Sequence, residues 1–377
     1  MKRVFLLSVL CALFASCSPK EEYGAYLFTF FNDPTHSLFM AVSYDGYEFT
    51  AVNDGKPIID GSKISEQGGI RDPHIQRGPD GAFYIVMTDL HVFGQRAGVR
   101  DTQWERDAYY GWGNNRGLVF MKSYDLINWT HNVVRIDKLF PEKYNEIGCA
   151  WAPQSIWDPE EQKMMVYFTI RERPEGEGGP GSKTKLFYSY ADEDFTTLVT
   201  EPQLLFEYPD PNVQVLDADI CPMPDGRWFM TYVAQEGPAG IKYMISDKIN
   251  HFEAYNEVQI DFEKGSCEAP NTWKRIGEDK WVTMYDIFSI NPHNFGFIET
   301  TDFKTWTHLG RFNGFAGSGG GHFHFVAVFL LKFRNSLFDG ADTILFAGTD
   351  GKGLTVLGDD HAVGADTQVH IPGEKQI

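Results

Sequence analysis

Three carboxylates stand in short polar segments beside proline or small apolar residues. They are Asp72 in Arg71-Asp72-Pro73-His74, Asp217 in Leu216-Asp217-Ala218-Asp219-Ile220, and Glu268 in Glu268-Ala269-Pro270-Asn271. A lone acid is ordinarily a solvated surface group. Acids at matching places in a repeat, next to apolar neighbours, are candidates for proton chemistry instead. Two carboxyls facing a sugar across a gap can hydrolyse a glycosidic bond. One must be protonated to donate to the leaving oxygen, and one ionised to activate water. A third acid nearby keeps the donor protonated by like-charge repulsion. A fourth segment, Trp151-Ala152-Pro153-Gln154, opens on an aromatic ring suited to walling a pocket.

The elements that position these residues follow from the repeat. Each segment precedes a strand rich in Tyr, Phe, Trp, Val and Met, at residues 83–88, 164–169, 228–233 and 281–285. Such strands suit packing on both faces. Downstream comes a second signal: an apolar strand, a small polar residue, an Asp and then an aromatic. Its copies carry Ser43 and Asp45, Ser123 and Asp125, Ser189 and Asp192, Ser246 and Asp247, and Thr300 and Asp302. The short acid can bond nearby backbone and set a tight turn. No segment shows a capped 3.6-residue apolar period, which points to an all-β chain.

Four-stranded units of about 55–80 residues predict a five-bladed β-propeller whose innermost strands line a central channel. Asp72, Asp217 and Glu268 then converge on one mouth from equivalent places in three blades. The first unit, residues 25–53, has a turn signal but no polar segment. Its innermost strand is expected from the C-terminal region, at residues 321–332, which would close the ring.

In this order the four segments resemble the motifs of glycoside hydrolase family 43, over residues 26–313. Arg71-Asp72-Pro73-His74-Ile75 is similar to the family's Asp-Pro motif, whose Asp is the general base. Leu216-Asp217-Ala218 is similar to its Ile-Asp segment, whose Asp tunes and orients the donor. Glu268-Ala269-Pro270 is similar to its Glu-Gly-Pro segment, whose Glu is the general acid. Trp151-Ala152-Pro153 is similar to the Trp-Ala-Pro segment that shapes its pocket. The resemblance implies an inverting glycosidase releasing terminal arabinofuranosyl or xylosyl units. It implies no organic cofactor and leaves room for a structural calcium ion near a closing-strand His. The family's Lys-His-Gly form is absent there; Gly321-His322-Phe323-His324 stands in its place.

Other assignments compete. Asp219 shares a strand face with Asp217, but the distance from Asp217 to Asp225-Gly226 fits the family better. Glu236-Gly237-Pro238 follows an aromatic strand and reads as a hairpin loop. Asn32-Asp33-Pro34 is reminiscent of invertase-type fructosidases, which retain configuration. A non-catalytic glycan-binding lipoprotein on the same scaffold is a further alternative. His74, two places after Asp72, is expected to orient it or touch substrate. Trp112 and Arg116 end a long insertion, residues 90–116, and long loops over a mouth often supply substrate contacts.

The first residues read as an export signal. Lys2 and Arg3 precede an apolar run at residues 4–13 and then Ala15-Ser16-Cys17. Cys17 is the expected lipidation site, as in bacterial lipoproteins, with residues 1–16 removed and 17–24 a tether. The propeller would span 25–335, with 336–377 an extension of unassigned role. These features predict anchoring to the bacterial cell envelope through lipid alone. Loss of Lys2 and Arg3 makes the remainder more acidic than the whole chain's net −19, which argues against nucleic-acid or anionic-membrane partners. Cys149, Cys221 and Cys267 are an odd set with no C-x-x-C spacing, so a disulfide framework and a cysteine metal site are not expected.

Overall fold

A computed structural model describes residues 23–92, 94, 98, 115–173, 181–253, 258–290 and 293–312, and the backbone of strands at 324–332, 345–348 and 354–357. All four aromatic segments form strands, and each is the second strand of an antiparallel sheet. The first sheet contains β1 (Tyr23–Phe31), β2 (Phe39–Ser43) and β3 (Thr50–Ala51). The second runs β4 (Ile70–Arg77), β5 (Phe83–Asp89), β6 (Gly117–Ser123) and β7 (Thr130–Arg135). The third runs β8 (Cys149–Asp158), β9 (Lys163–Arg171), β10 (Lys185–Tyr190) and β11 (Gln203–Phe206). The fourth has β12 (Val215–Pro222), β13 (Trp228–Gln235) and β14 (Ala239–Ser246). The fifth runs β15 (Glu268–Lys274), β16 (Trp281–Ile287), β17 (Asn294–Thr300) and β18 (Thr307–Arg311).

The fourth sheet departs from the expected four strands. Its outer edge is an irregular segment held to β14 at Ile241 and, where Cys267 N–H donates to Ala239 O, at Ala239. Ile260 N–H donates to Ile241 O, while Ile241 N–H donates to the Asp261 carboxylate rather than to backbone.

Strand alternation makes each second strand two-faced, and its faces feed different cores. In β5, Ile85 and Met87 pack toward the first blade with Leu27, Met40 and Trp129. Tyr84 and Val86 pack toward the third blade with Phe168 and Phe187. Tyr167 of β9 meets Met230 and Tyr232 of β13 between the third and fourth blades. Phe229 and Ile241 meet Tyr285 and Ile298 between the fourth and fifth. Met284 and Phe297 of the fifth blade meet Phe28 and Phe49 of the first. Hydrophobic burial thus joins every neighbouring pair, including last to first, and the molecule is a five-bladed all-β propeller.

β19 (His324–Lys332) lies antiparallel beside β1. Residues 321–323 of the expected closing segment lie outside the described residues. β20 (Leu345–Gly348) and β21 (Leu354–Leu357) pair as a separate hairpin.

The turn acids act as their spacing predicts in four of five copies. Asp45 accepts from Tyr47 and Glu48 N–H, Asp125 from Ile127 and Asn128, Asp192 from Thr196 and Thr197, and Asp302 from Lys304 and Thr305. In the fourth blade it is Ser246 that takes the Lys248 N–H.

Candidate active site

The innermost strands of four blades share one irregularity at one place. Each has a bulge, where pairing with the second strand skips between Arg71 and His74, Trp151 and Gln154, Leu216 and Asp219, and Glu268 and Asn271. The first bulged residue is Asp72, Ala152, Asp217 or Ala269, with φ of 50°, 45°, 53° and 49°. None is glycine, and the left-handed conformation costs each roughly 1–2 kcal/mol. Bulges of this kind re-aim a side chain and end regular pairing.

The bulge register corrects one expectation. Asp72 and Asp217 are equivalent, but Glu268 precedes its bulge and matches Trp151, Leu216 and Arg71. The acids therefore come from two adjacent steps of the repeat, not one. Even so, Asp72, Trp151, Asp217 and Glu268 are all partly exposed, while most of their neighbours on these strands are buried. The charges of Asp72 and Glu268 both act on Asp217, which brings the three acids into one neighbourhood.

Hydrogen bonds between blades fix the bulges. Thr88 Oγ1 donates to Asp72 Oδ2 at 2.7 Å and accepts from Ala152 N–H at 2.9 Å. Thr169 Oγ1 accepts from Asp217 N–H at 3.2 Å. The corresponding residue of the fourth blade is Val233, which has no hydroxyl. There the Asp217 carboxylate itself takes the Ala269 N–H, at 3.1 Å. Asp217 is thus tied to the residue after Glu268.

Asp217 gathers the charges of the site. Burial pushes its carboxyl well above the usual range, and the charges of Glu268, Asp72 and Asp286 push the same way. The Ala269 N–H opposes them but does not prevail. Two coupled carboxyls that cannot both ionise hold a proton jointly. Among the charges that act on Asp217, that of Glu268 is the strongest.

One step beyond each bulge lies a second tier of contacts. Ser155 N–H donates to His74 Nδ1 at 3.3 Å, Ile220 N–H to Tyr167 Oη at 3.0 Å, and Thr272 N–H to Asp219 Oδ2 at 2.7 Å. Each acceptor reaches the following blade at the same register; Tyr167 does so while bonding Gln154. Burial drives His74 down to about 3, so it stays neutral. His74 is thus a buried strut between two blades. Burial raises Asp219 to about 7 against the hydrogen bonds of Thr272 and Asn271. Asp219 therefore clamps the fifth blade and does not compete with Asp217 for the mouth.

The remaining candidates lie elsewhere. Arg116 donates to Asn145 O at 2.9 Å and lies 3.7 Å from Asp137, so it ties the insertion to the link between second and third blades. Trp112 and Cys17 lie outside the described residues. Trp151 has the Arg171 guanidinium over its ring at 5.3 Å. Arg71 is 4% exposed, bonds Asp33 at 2.8 Å and sits over Phe31. Asp33 follows a second strand and holds this arginine, unlike an innermost-strand acid. Glu236 lies between β13 and β14, where it pairs with Lys242 and accepts from Tyr208. Cys149, Cys221 and Cys267 are buried free thiols. Among the described residues no cluster of three or more His, Cys, Asp or Glu is arranged to hold a metal ion. His322 lies outside those residues, and of the His324 side chain nothing is described.

Sequence reasoning missed Thr88, Thr169 and Asp286. A signal existed: Thr88 and Thr169 end their aromatic segments at the same repeat position.

With this geometry in place, comparison with known proteins is informative. A family described as a probable glycosyl hydrolase domain, related to glycoside hydrolase family 43, matches residues 21–316. An α-L-arabinofuranosidase of Bifidobacterium longum subsp. longum is 24% identical over 205 residues, covering 52% of this chain and 18% of that protein. The chain thus spans under a fifth of that relative. A family-43 protein from Bacillus licheniformis superposes with TM-score 0.51 at 13% identity, over 79% of this chain and 57% of its own. An exo-1,5-α-L-arabinanase from a bovine ruminal metagenomic library gives TM-score 0.50 at 12% identity, over 76% and 93%. At these identities the structural likeness speaks to the fold alone.

Proposed function

The chain belongs to the family of probable glycosyl hydrolase domains related to family 43, and from that premise we propose that it cleaves glycosidic bonds of plant-type glycans with inversion, releasing terminal arabinofuranosyl or xylosyl units. The observation that carries this reading is the mouth itself. Asp72, Asp217 and Glu268 reach it from three blades, partly open to solvent, and burial first, then the charges of Glu268 and Asp72, bias Asp217 toward its protonated form. The kinship with the Bifidobacterium arabinofuranosidase favours an arabinofuranosyl group.

Asp72 is the base. Its Oδ2 is anchored by the Thr88 hydroxyl, which fixes the orientation of the carboxyl. It accepts a proton from water as that water attacks the anomeric carbon. Glu268 protonates the departing oxygen, which keeps the electron pair of the broken bond. Asp217 orients Glu268 through the Ala269 link and shares with it the proton that Glu268 donates. Inversion requires room for water, with base and acid carboxyls ~6.5–9.5 Å apart.

A screen of chromogenic arabinofuranosides, xylosides, galactosides and galactofuranosides tests the activity. Proton NMR of the first-formed anomer on any hit tests inversion, and a retained anomer overturns it. Binding of a glycan with no sugar released on long incubation would instead favour a binding module. Export with lipidation at Cys17 is part of the proposal, motivated by the Ala15-Ser16-Cys17 signal. Labelling with radioactive palmitate in a bacterial host should be lost in Cys17→Ser; labelling that persists refutes that anchor.

A further inference from the structure

The second strand of each of these four blades sets one residue opposite the residue that precedes the bulge. The pairs are Arg71 with Thr88, Trp151 with Thr169, and Leu216 with Val233. In the fifth blade the pair is Glu268 with Asp286. Residues directly opposite in an antiparallel pair project from the same face, their Cβ atoms ~4.5–5.5 Å apart. Asp286 is therefore a carboxyl on the face of Glu268, in the slot where two other blades carry a threonine. It is 1% exposed, between Tyr285 and Ile287, which are both fully buried.

Like charges directly opposite on neighbouring strands destabilise a sheet. A threonine in the same slot would avoid that penalty and could still accept an N–H from the next blade, as Thr88 and Thr169 do. An acid in this slot makes physical sense if the site uses the repulsion. The influence of Asp286 extends past Glu268, since it also acts on the Asp217 carboxyl.

We propose that Asp286 is a fourth member of the acid group and a positioning residue for the donor step. Facing Glu268 across the strand pair, its charge holds the donor's proton in place until a glycosidic oxygen takes it. The proton leaves Glu268 for the departing oxygen, and the attacking water gives its proton to Asp72. The titratable groups around this pair include Glu268 on β15, Asp217 on β12, Asp72 on β4, and the Cys267 thiol, which burial first and then Asp261, Glu263, Asp286 and Glu268 push upward. The inference rests on the glycosidase reading and deepens it.

The test compares wild type with Asp286→Asn and Asp286→Thr in the full chain, the second restoring the repeat's own residue. With p-nitrophenyl α-L-arabinofuranoside, the alkaline limb of kcat/KM against pH should move down by about 1 pH unit in both variants. Carbon-13 NMR titration of labelled Asp and Glu carboxyls, assigned with Glu268→Gln and Asp217→Asn, should show the coupled pair releasing its proton at lower pH. An unmoved titration with a lowered melting temperature would overturn the proposal and leave Asp286 as a clamp like Thr88. The titration needs no turnover. If no glycoside is hydrolysed, the glycosidase reading fails, while the coupling of Asp286 to the acid pair is still decided.

Discussion

Aspartate does opposite jobs in two regions of this propeller. In the exposed turns, Asp302 is held down to about 2, chiefly by the N–H groups of Thr305 and Lys304. At the inner bulges, Asp217 is pushed well above its usual range by burial and by neighbouring acids. The side chain is the same and only its surroundings differ. In the turns, two or more donors point at a solvated carboxylate and favour its charge. At the mouth, one N–H competes against desolvation and three like charges. Solvated acids that collect N–H donors shape the loops, whereas burial raises Asp217 and Asp219 despite the donors they have.

If that division is right, charge removal at the mouth should strike activity, and charge removal in the turns should strike only stability. The largest effect is expected from Glu268→Gln. Reducing-sugar release from an unactivated glycoside should fall roughly 10²–10⁴-fold, with circular dichroism unchanged. Wild-type turnover in that variant would remove Glu268 from the acid role.

Thr88→Val probes the join between the two functions, because the hydroxyl serves both Asp72 and the Ala152 N–H. Leaving a buried donor unmet should cost about 1–3 kcal/mol in urea unfolding, alongside a loss of activity. Unchanged stability would mean that the bulges are not held across blades by this hydroxyl.

The smallest effects are in the pH dependence of the melting temperature, where the two kinds of acid should have opposite signs. Asp302 has a depressed folded value, so its contribution is complete above the ordinary carboxylate range. That contribution is lost as pH falls toward about 2. The gap between wild type and Asp302→Ala should close over that acid window. Asp219 has a raised folded value of about 7, so its ionisation weakens the fold as pH climbs from the carboxylate range to about 7. Asp219→Asn should therefore gain on wild type as pH rises through that window. Parallel slopes for the two variants would break the comparison.

Much of this was legible in the chain. Alternating aromatic strands and Ser/Thr-x-Asp turns specify blades because strand period and turn chemistry are local properties. The three acids and Trp151 were legible because they interrupt a repeat that is otherwise apolar. The role of His74 was not, because the bulge inserts a residue and breaks the i, i+2 rule used to place it beside Asp72. Arg116 could be assigned to a sugar only while its partners Asn145 and Asp137, distant in sequence, were unseen. Asp286 escaped notice because it lies on an aromatic strand rather than in a polar segment.

The sequence by itself determined the blades, their number, and which acids stand in the polar segments, since periodicity and residue type need no tertiary contacts. The structure decided the register. Positive-φ bulges put Asp72 and Asp217 at one step and Glu268 at the step before. Hydrogen bonds from one blade to the next chose Asp217 over Asp219 for the mouth. Proton affinity depends on burial and on charges brought from other blades, and those exist only once the ring has assembled.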